Sequence, residues 1–385
     1  MLKQTLAIMH REIFYMWRDK GLRYILLIIP LLTLALFYAT YHLQVMKNIP
    51  TAIVDLDQSA ASRQIVSMLE EVDNLQVVAY PESYPQLQQL IERGDAVVGV
   101  VIPENLAAHT ALRRQGQVYA VVDGSNLVYA TNAVSDLLRT TRTMGAELGV
   151  KSLVAQGVHI DEASNVFLGA DFREEAWFNP TLNYAHFLLL ALALNIWQQC
   201  CMLASCMNII GETGRKSWYQ IKMSGISKTR LFTAKSITHI TVFMLMVAPI
   251  YFISFGVLKL PLAGGILPLL LLTFFFIVAV HSVGTLMSGL ARNAVDASRL
   301  GMATALPSFV VSGYTWPLEA MHPFLQTAVK IVPQTWFFQG LNYLTFKDPG
   351  WEFMLPFFGA LALIAVICYG AAAIVTGGPV RRLLG

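Results

Sequence analysis

A chain of 385 residues with 55% hydrophobic and only 13% charged residues is too apolar for an ordinary soluble domain, whose charged share is about 25%. Its charge is also unevenly spread: residues 42–178 carry nine Lys/Arg against seventeen Asp/Glu, and the remainder eighteen against seven. This excludes a soluble enzyme or a nucleic-acid binder and describes a basic membrane body interrupted by a polar, mildly acidic insert.

The first twenty residues place Leu2, Leu6, Met9, Ile13, Met16 and Trp17 at steps of three and four, with Arg11, Glu12, Arg18 and Asp19 off that face. That pattern predicts an amphipathic helix over 1–22, lying in the cytoplasmic interface and ending in an elbow at Gly21. Acids among the basic residues and the lack of a small-x-small site argue against a cleavable signal.

A charge-free run, Tyr24–Tyr41, predicts the first membrane helix within 23–42. From 43 to 178 the texture changes to short strands and helices. "TAIVD" (51–55), "LQVVAY" (75–80), "AVVGVVIP" (96–103) and "VYAVVDG" (118–124) read as strands. Helices follow at Ser59 to Val72, Tyr84–Arg93, a segment ending at Gly116, and a long one over 126–156. Strands alternating with helices predict a small α/β domain. "DGSN" (123–126) and "HIDE" (159–162) are explained as a turn and a helix cap, without chemistry.

Five further spans are predicted within 179–385: Thr181–Gly211, Ser236–Leu258, Leu262–Leu290, a shorter Leu300–Trp316 extended toward Asp296, and Phe353–Gly377. Ile331–Phe346 is apolar but short and broken by Pro333 and Gln334, so 318–348 reads as a re-entrant hairpin. The fold class is therefore an α-helical polytopic membrane protein of six spans, with an interfacial helix, a re-entrant hairpin and an inserted α/β extracytoplasmic domain. Basic loops set the orientation: 1–23, 212–235, 292–299 and the tail with Arg381 and Arg382 face the cytoplasm, as do both termini. Cys200, Cys201, Cys206 and Cys368 all lie in apolar segments and read as packing residues; no metal site is expected.

Four stretches carry a family resemblance. "REIFYMWRDKG" (11–21) is similar to an elbow helix, and "WFNPTLNY" (177–184) to the run into a second span. "GETGRKSWYQIKMSGISKTRLFTAK" (211–235) is similar to a Glu-containing cytoplasmic loop. "SGYTWPLEAMHPFLQTAVKIVPQTWFFQGLNYLTF" (312–346) is similar to a Gly-aromatic-Pro exit followed by re-entrant helices. The whole layout resembles permease subunits of ABC transporters of the type-2 exporter class, in the subgroup with a large extracytoplasmic domain between the first two membrane helices. It departs from the pattern at Ser224-Gly225 and at Met321-His322-Pro323.

The resemblance implies a transport permease and not an enzyme, set in a bacterial inner membrane. No G-x-x-x-x-G-K-[ST] occurs in the sequence, so ATP and Mg would be bound by a separate cytoplasmic ABC ATPase. A second permease copy, membrane lipids and a periplasmic adaptor are the other expected partners. Residues 212–235 would receive the ATPase. Trp218, Ile221 and Met223 are the expected apolar knob with a basic rim, Gly225 the helix stop, and Glu212 the anchor, paired with Arg215 at i+3.

No acid or base is read in the middle of any of the six spans, which argues against a proton-coupled carrier and for an amphiphilic or hydrophobic cargo such as a drug, lipid or glycolipid. Asn183, Asn195, Gln198 and Gln199 on the second span are candidates to line the path, with Phe309, Ser312 and Tyr314 on the fifth. Trp336 and Phe337 are candidates for an outer gate. The alternative is a membrane-tethered envelope sensor, or an adaptor-docking protein, without transport.

Overall fold

The computed structural model describes residues 2–41, 47–111, 116–125, 127–167, 177–180 and 183–377. The chain divides into two compact units, Val45–Glu175 and the remainder, Met1–Gln44 with Ala176–Gly385.

The membrane unit begins with α1 (Leu2–Arg18). The break comes at Asp19, whose carboxylate caps α2 (Lys20–Arg23) by accepting from the Leu22 amide at 3.0 Å, so Gly21 lies inside the next helix. A π-turn leads into α3 (Ile29–Thr40), giving one continuous apolar helix from Lys20 to Thr40.

The smaller unit runs β1 (Ile49–Asp55), α4 (Ala60–Glu70), β2 (Leu75–Ala79), α5 (Tyr84–Arg93), β3 (Val98–Ile102), α6 (Leu106–Ala111), β4 (Tyr119–Val122), α7 (Leu127–Val154) and α8 (Ile160–Phe167). Ser59 caps α4, accepting from the Ser62 amide, and Gly94 ends α5 in the left-handed conformation. The sheet order is β2-β1-β3-β4, with β1 parallel to both neighbours and β4 antiparallel to β3. Period-2 alternation sends Ile49 and Ile53 into one core with Ile65, Leu69, Ala133 and Leu137. Ala52 and Val54 enter the other, with Leu87. Both faces are covered, which is why β3 is buried along its whole length.

The membrane unit resumes with α9 (Tyr184–Cys206), α10 (Ile210–Gly214), α11 (Trp218–Met223), α12 (Lys228–Tyr251, with a π-turn to Val257), α13 (Ile266–Leu290) and α14 (Ala294–Val310). Then come α15 (Pro323–Ala328), α16 (Pro333–Phe346) and α17 (Gly350–Gly377). Among the described residues, five helices are long and apolar enough to cross a membrane: Lys20–Thr40, Tyr184–Cys206, Lys228–Val257, Ile266–Leu290 and Gly350–Thr376.

The expected fifth span, Leu300–Trp316 extended toward Asp296, corresponds to the 17-residue α14: the extension is present, and the helix ends at Val310 instead of Trp316. Asn293 caps it by accepting from the Asp296 amide, and Gly313, at φ +87°, turns the chain after it. Its length is roughly 25 Å at the helical rise, short of the hydrocarbon thickness.

Small residues let these helices approach closely. A Cβ on Gly284 of α13 would lie 2.4 Å from the Ser205 Cβ of α9, and one on Gly301 of α14 would lie 2.6 Å from the Cys206 sulfur. Cys200, Cys201 and Cys206 are buried free thiols in this contact region. Gly284→Ala should therefore destabilise the full chain by about 1–3 kcal/mol through overpacking. Adding Ser205→Gly should recover part of the loss in thermal unfolding.

Candidate functional site: a buried charge cluster under the basic loop

Three elements meet where α9 ends. The Ser288 hydroxyl of α13 accepts from the amides of Ile209 and Ile210, at 2.9 and 3.0 Å, satisfying donors at the start of α10. This holds α10 so that Glu212 points inward. Glu212 is fully buried, as is Lys235 of α12, and Glu12 of α1 is 3% exposed.

The Lys235 ammonium donates to Glu212 Oε1 at 2.7 Å and lies 3.4 Å from Glu12 Oε1. Arg11 of α1 also donates to Glu212 Oε1, and the Ser217 hydroxyl to its Oε2. Arg215 stands 3.7 Å from Glu212 Oε1 and 3.9 Å from Glu12 Oε2, with its guanidinium over the Tyr15 ring at 4.4 Å. The expected Glu212–Arg215 pair is present, as one contact among several.

Burial opposes the charge on both acids, yet their partners prevail. The hydrogen bond from His239 and the nearby Lys235 bring the Glu12 carboxyl down to about 2. Lys235 likewise lowers that of Glu212. Both are therefore ionised, and the cluster holds two carboxylates against three cations.

The loop beyond is anchored from within. Trp218 and Ile221 are buried with Ile8, Ile209, Leu231 and Ala234, and the Trp218 indole N–H donates to Thr213 Oγ1 at 3.0 Å. Their side chains are spent on the chain's own core, which corrects the expectation that they form an open knob. The outward apolar residues of α11 are Tyr219 and Met223, 71% and 70% exposed, beside exposed Gln220 and Lys222. Gly225 ends α11 at φ +67°, and Ser227 caps α12.

A second polar line lies among the helices. Gln334 of α16 donates to Gln198 Oε1 at 2.9 Å, and the Gln198 amide reaches Asn195 Oδ1 at 3.3 Å and the Ala305 carbonyl at 3.4 Å. Gln199 donates to the same Asn195 oxygen at 3.3 Å. The sequence singled out Asn195 and Gln198 but treated Gln334 only as a break.

Asn183 is the cap of α9, accepting from the Ala185 and His186 amides. Tyr314 stacks on Phe187 at 5.0 Å and packs with Phe309 and Phe338, and Ser312 is buried with its hydroxyl on the Phe309 carbonyl. Phe337 is fully buried and stacked on Phe276 at 3.9 Å, a core position unsuited to a gate. Trp336 is half-buried, donating to the Lys330 carbonyl.

Sequence reading missed Arg11, Glu12, Lys235, His239 and His281. Glu12 looked like part of the polar face of α1, but it falls in the row Ile8–Glu12–Met16, and that row is the buried one. The reading that no base sits among the spans is also corrected: His239 and His281 are buried on α12 and α13 and joined by a 3.1 Å contact.

The model of the family described as "ABC-2 family transporter protein" matches residues 20–374, nearly the whole chain. The chain belongs to this family. That places it among transporter proteins and not enzymes. Its relatives include two from Escherichia coli K12 that align over most of their length. The probable multidrug ABC transporter permease YbhR is 21% identical over 90% of this chain and 91% of the relative. The inner membrane transport permease YhhJ is 24% identical over 82% and 81%. A third, the probable multidrug ABC transporter permease YbhS, is 24% identical over 45% of this chain, which spans about half (46%) of that relative's length.

Removing one partner of a buried ion pair leaves an uncompensated charge. Lys235→Met, which removes the one cation buried between both carboxylates and leaves them to Arg11, Arg215 and His239, should cost about 3–5 kcal/mol in thermal unfolding of the full chain. Adding Glu212→Gln should recover part of it. The depressed Glu12 carboxyl predicts an acid limb as well. Its contribution is full above the ordinary value of 4.5 and is lost as pH falls toward about 2. Glu12→Gln should flatten the melting-temperature profile below pH 4.5.

Proposed function

We propose that this chain is the membrane permease subunit of an ATP-driven exporter, energised by a separate cytoplasmic ABC ATPase that binds ATP and Mg. The observation that carries this reading is the mounting of α11. Its inner side is fixed by Trp218 and Ile221. Its base is tied through Glu212 to α1 and α12. Its outer side offers Tyr219 and Met223 beside Lys222. A rigid knob of this kind passes a push from a partner directly into the membrane helices, and its contact residues are the exposed pair.

In this reading α14 is a sixth, shortened span, α15 and α16 are the re-entrant hairpin, and both termini lie in the cytoplasm of a bacterial inner membrane. The unit Val45–Glu175 is extracytoplasmic, where an adaptor protein has access to it. Two copies, or this chain with a close relative, enclose the path. Asn195, Gln198 and Gln334 supply uncharged polar groups beside apolar side chains, which suits an amphiphilic or hydrophobic cargo. The multidrug description carried by YbhR and YbhS supports that class.

The test is photo-crosslinking in cells from positions 219 and 223, with a photoreactive residue at 218 as the buried control. Capture of an ABC ATPase from both exposed positions and not from 218 is expected. Absence of any ATPase at 219 and 223, with capture of an envelope protein from the Val45–Glu175 unit, would overturn the exporter in favour of a tethered sensor.

A further inference from the structure

The charge cluster does not end at Glu12. His239 Nε2 lies 3.2 Å from Glu12 Oε1, and His239 Nδ1 lies 3.1 Å from His281 Nε2. His281 Nδ1 lies 2.7 Å from the Tyr369 hydroxyl and 3.3 Å from Thr285 Oγ1. Both imidazoles are buried, and Phe243 packs against both rings. Ionisable groups placed among membrane helices are costly to keep, so each calls for a role.

The protons on this line follow from its end. Glu12 is ionised and only accepts, so His239 must donate to it from Nε2. A neutral His239 then accepts at Nδ1, which obliges His281 to donate from its own Nε2. His281 in turn accepts at Nδ1, from the Tyr369 hydroxyl or from Thr285. Thr285 is itself placed as an acceptor by the Asn208 amide at 3.0 Å. Charged groups facing the line are Arg11 and Glu12 from α1, Glu212 and Arg215 beside α10, and Lys235 from α12. Their cations already outnumber their carboxylates, so no added charge is needed on either imidazole.

We propose that the Glu12 carboxylate sets the protons of His239, His281 and Tyr369, so that the four side chains form one directional relay joining α1 to α12, α13 and α17. His239 and His281 are positioning residues in this scheme. They make the seating of the first helix felt by a helix that the sequence places at the other end of the chain.

The experiment is magic-angle-spinning NMR of the full chain with 15N-labelled histidine, reconstituted in phospholipid vesicles at neutral pH. The two resonances are assigned by their loss in His239→Gln and His281→Gln. Both imidazoles should be neutral with the proton on Nε2. A proton on Nδ1 of His281, or a cationic form of either ring, would overturn the proposal.

Glu12→Gln offers an amide that accepts or donates equally well, so the direction should relax. The ratio of the two His281 tautomers should move by about tenfold or more, the weight of a hydrogen bond to a charged group. An unchanged His281 in folded Glu12→Gln protein would refute control from Glu12. Tyr369→Phe serves as the second variant. It should perturb the His281 Nδ1 resonance and leave the tautomer on Nε2, whereas a switch to Nδ1 would assign the control to Tyr369 and sink the proposal.

Discussion

One lysine ammonium shared by two buried carboxylates organises the membrane unit. Lys235, Glu12 and Glu212 are all buried, so each is costly to keep unless its charge is met by the others and by Arg11, Arg215 and His239. The three residues come from α12, α1 and α10, and α1 lies some two hundred residues before the other two. Their mutual need fixes the interfacial helix, the end of α9 and the start of α12 relative to one another. An apolar contact of the same area would stabilise the three without specifying one arrangement so strictly.

Around that point the packing is unusually close for side chains of ordinary size. Gly284 against Ser205 and Gly301 against Cys206 bring α13 and α14 onto α9 with almost no side chain between the backbones. In a lipid environment, dispersion contacts and hydrogen bonds do the work that water exclusion does elsewhere. The same closeness makes polar bridges short: Asn208 reaches Thr285, Ser288 reaches the α10 amides, and Gln334 reaches Gln198. The buried polar groups are thus a consequence of tight helix approach and also lock it.

Much of the fold was legible because it is written locally. Pro85 and Gly94 bracket α5, Ser59 and Ser227 cap their helices, and alternation marks β1. The extension of α14 toward Asp296 was legible, while its end was placed too late, because the apolar run continues past Val310 and Gly313 turns the chain. Within the candidate site, Glu212, Arg215 and Gly225 stood out for their residue type in an apolar context. Trp218 and Ile221 stood out as apolar residues at helical spacing, but which way they turned was invisible. A stripe of apolar residues looks the same whether it meets a partner or its own chain.

The sequence by itself determined the class of protein, two chemical regimes and the type and order of nearly every element. Hydropathy, periodicity and capping act within a turn or two of helix or strand and need no partner to be read. Only the tertiary structure decided which charged residues go inside. Glu12 and Asp19 are both acids on a basic amphipathic segment, yet Asp19 caps an exposed turn and Glu12 enters the core. The difference lies in the rotational phase at which α1 docks on α12. That phase is set by Lys235 and His239, more than two hundred residues away, and by the cost of leaving any of the three unpaired.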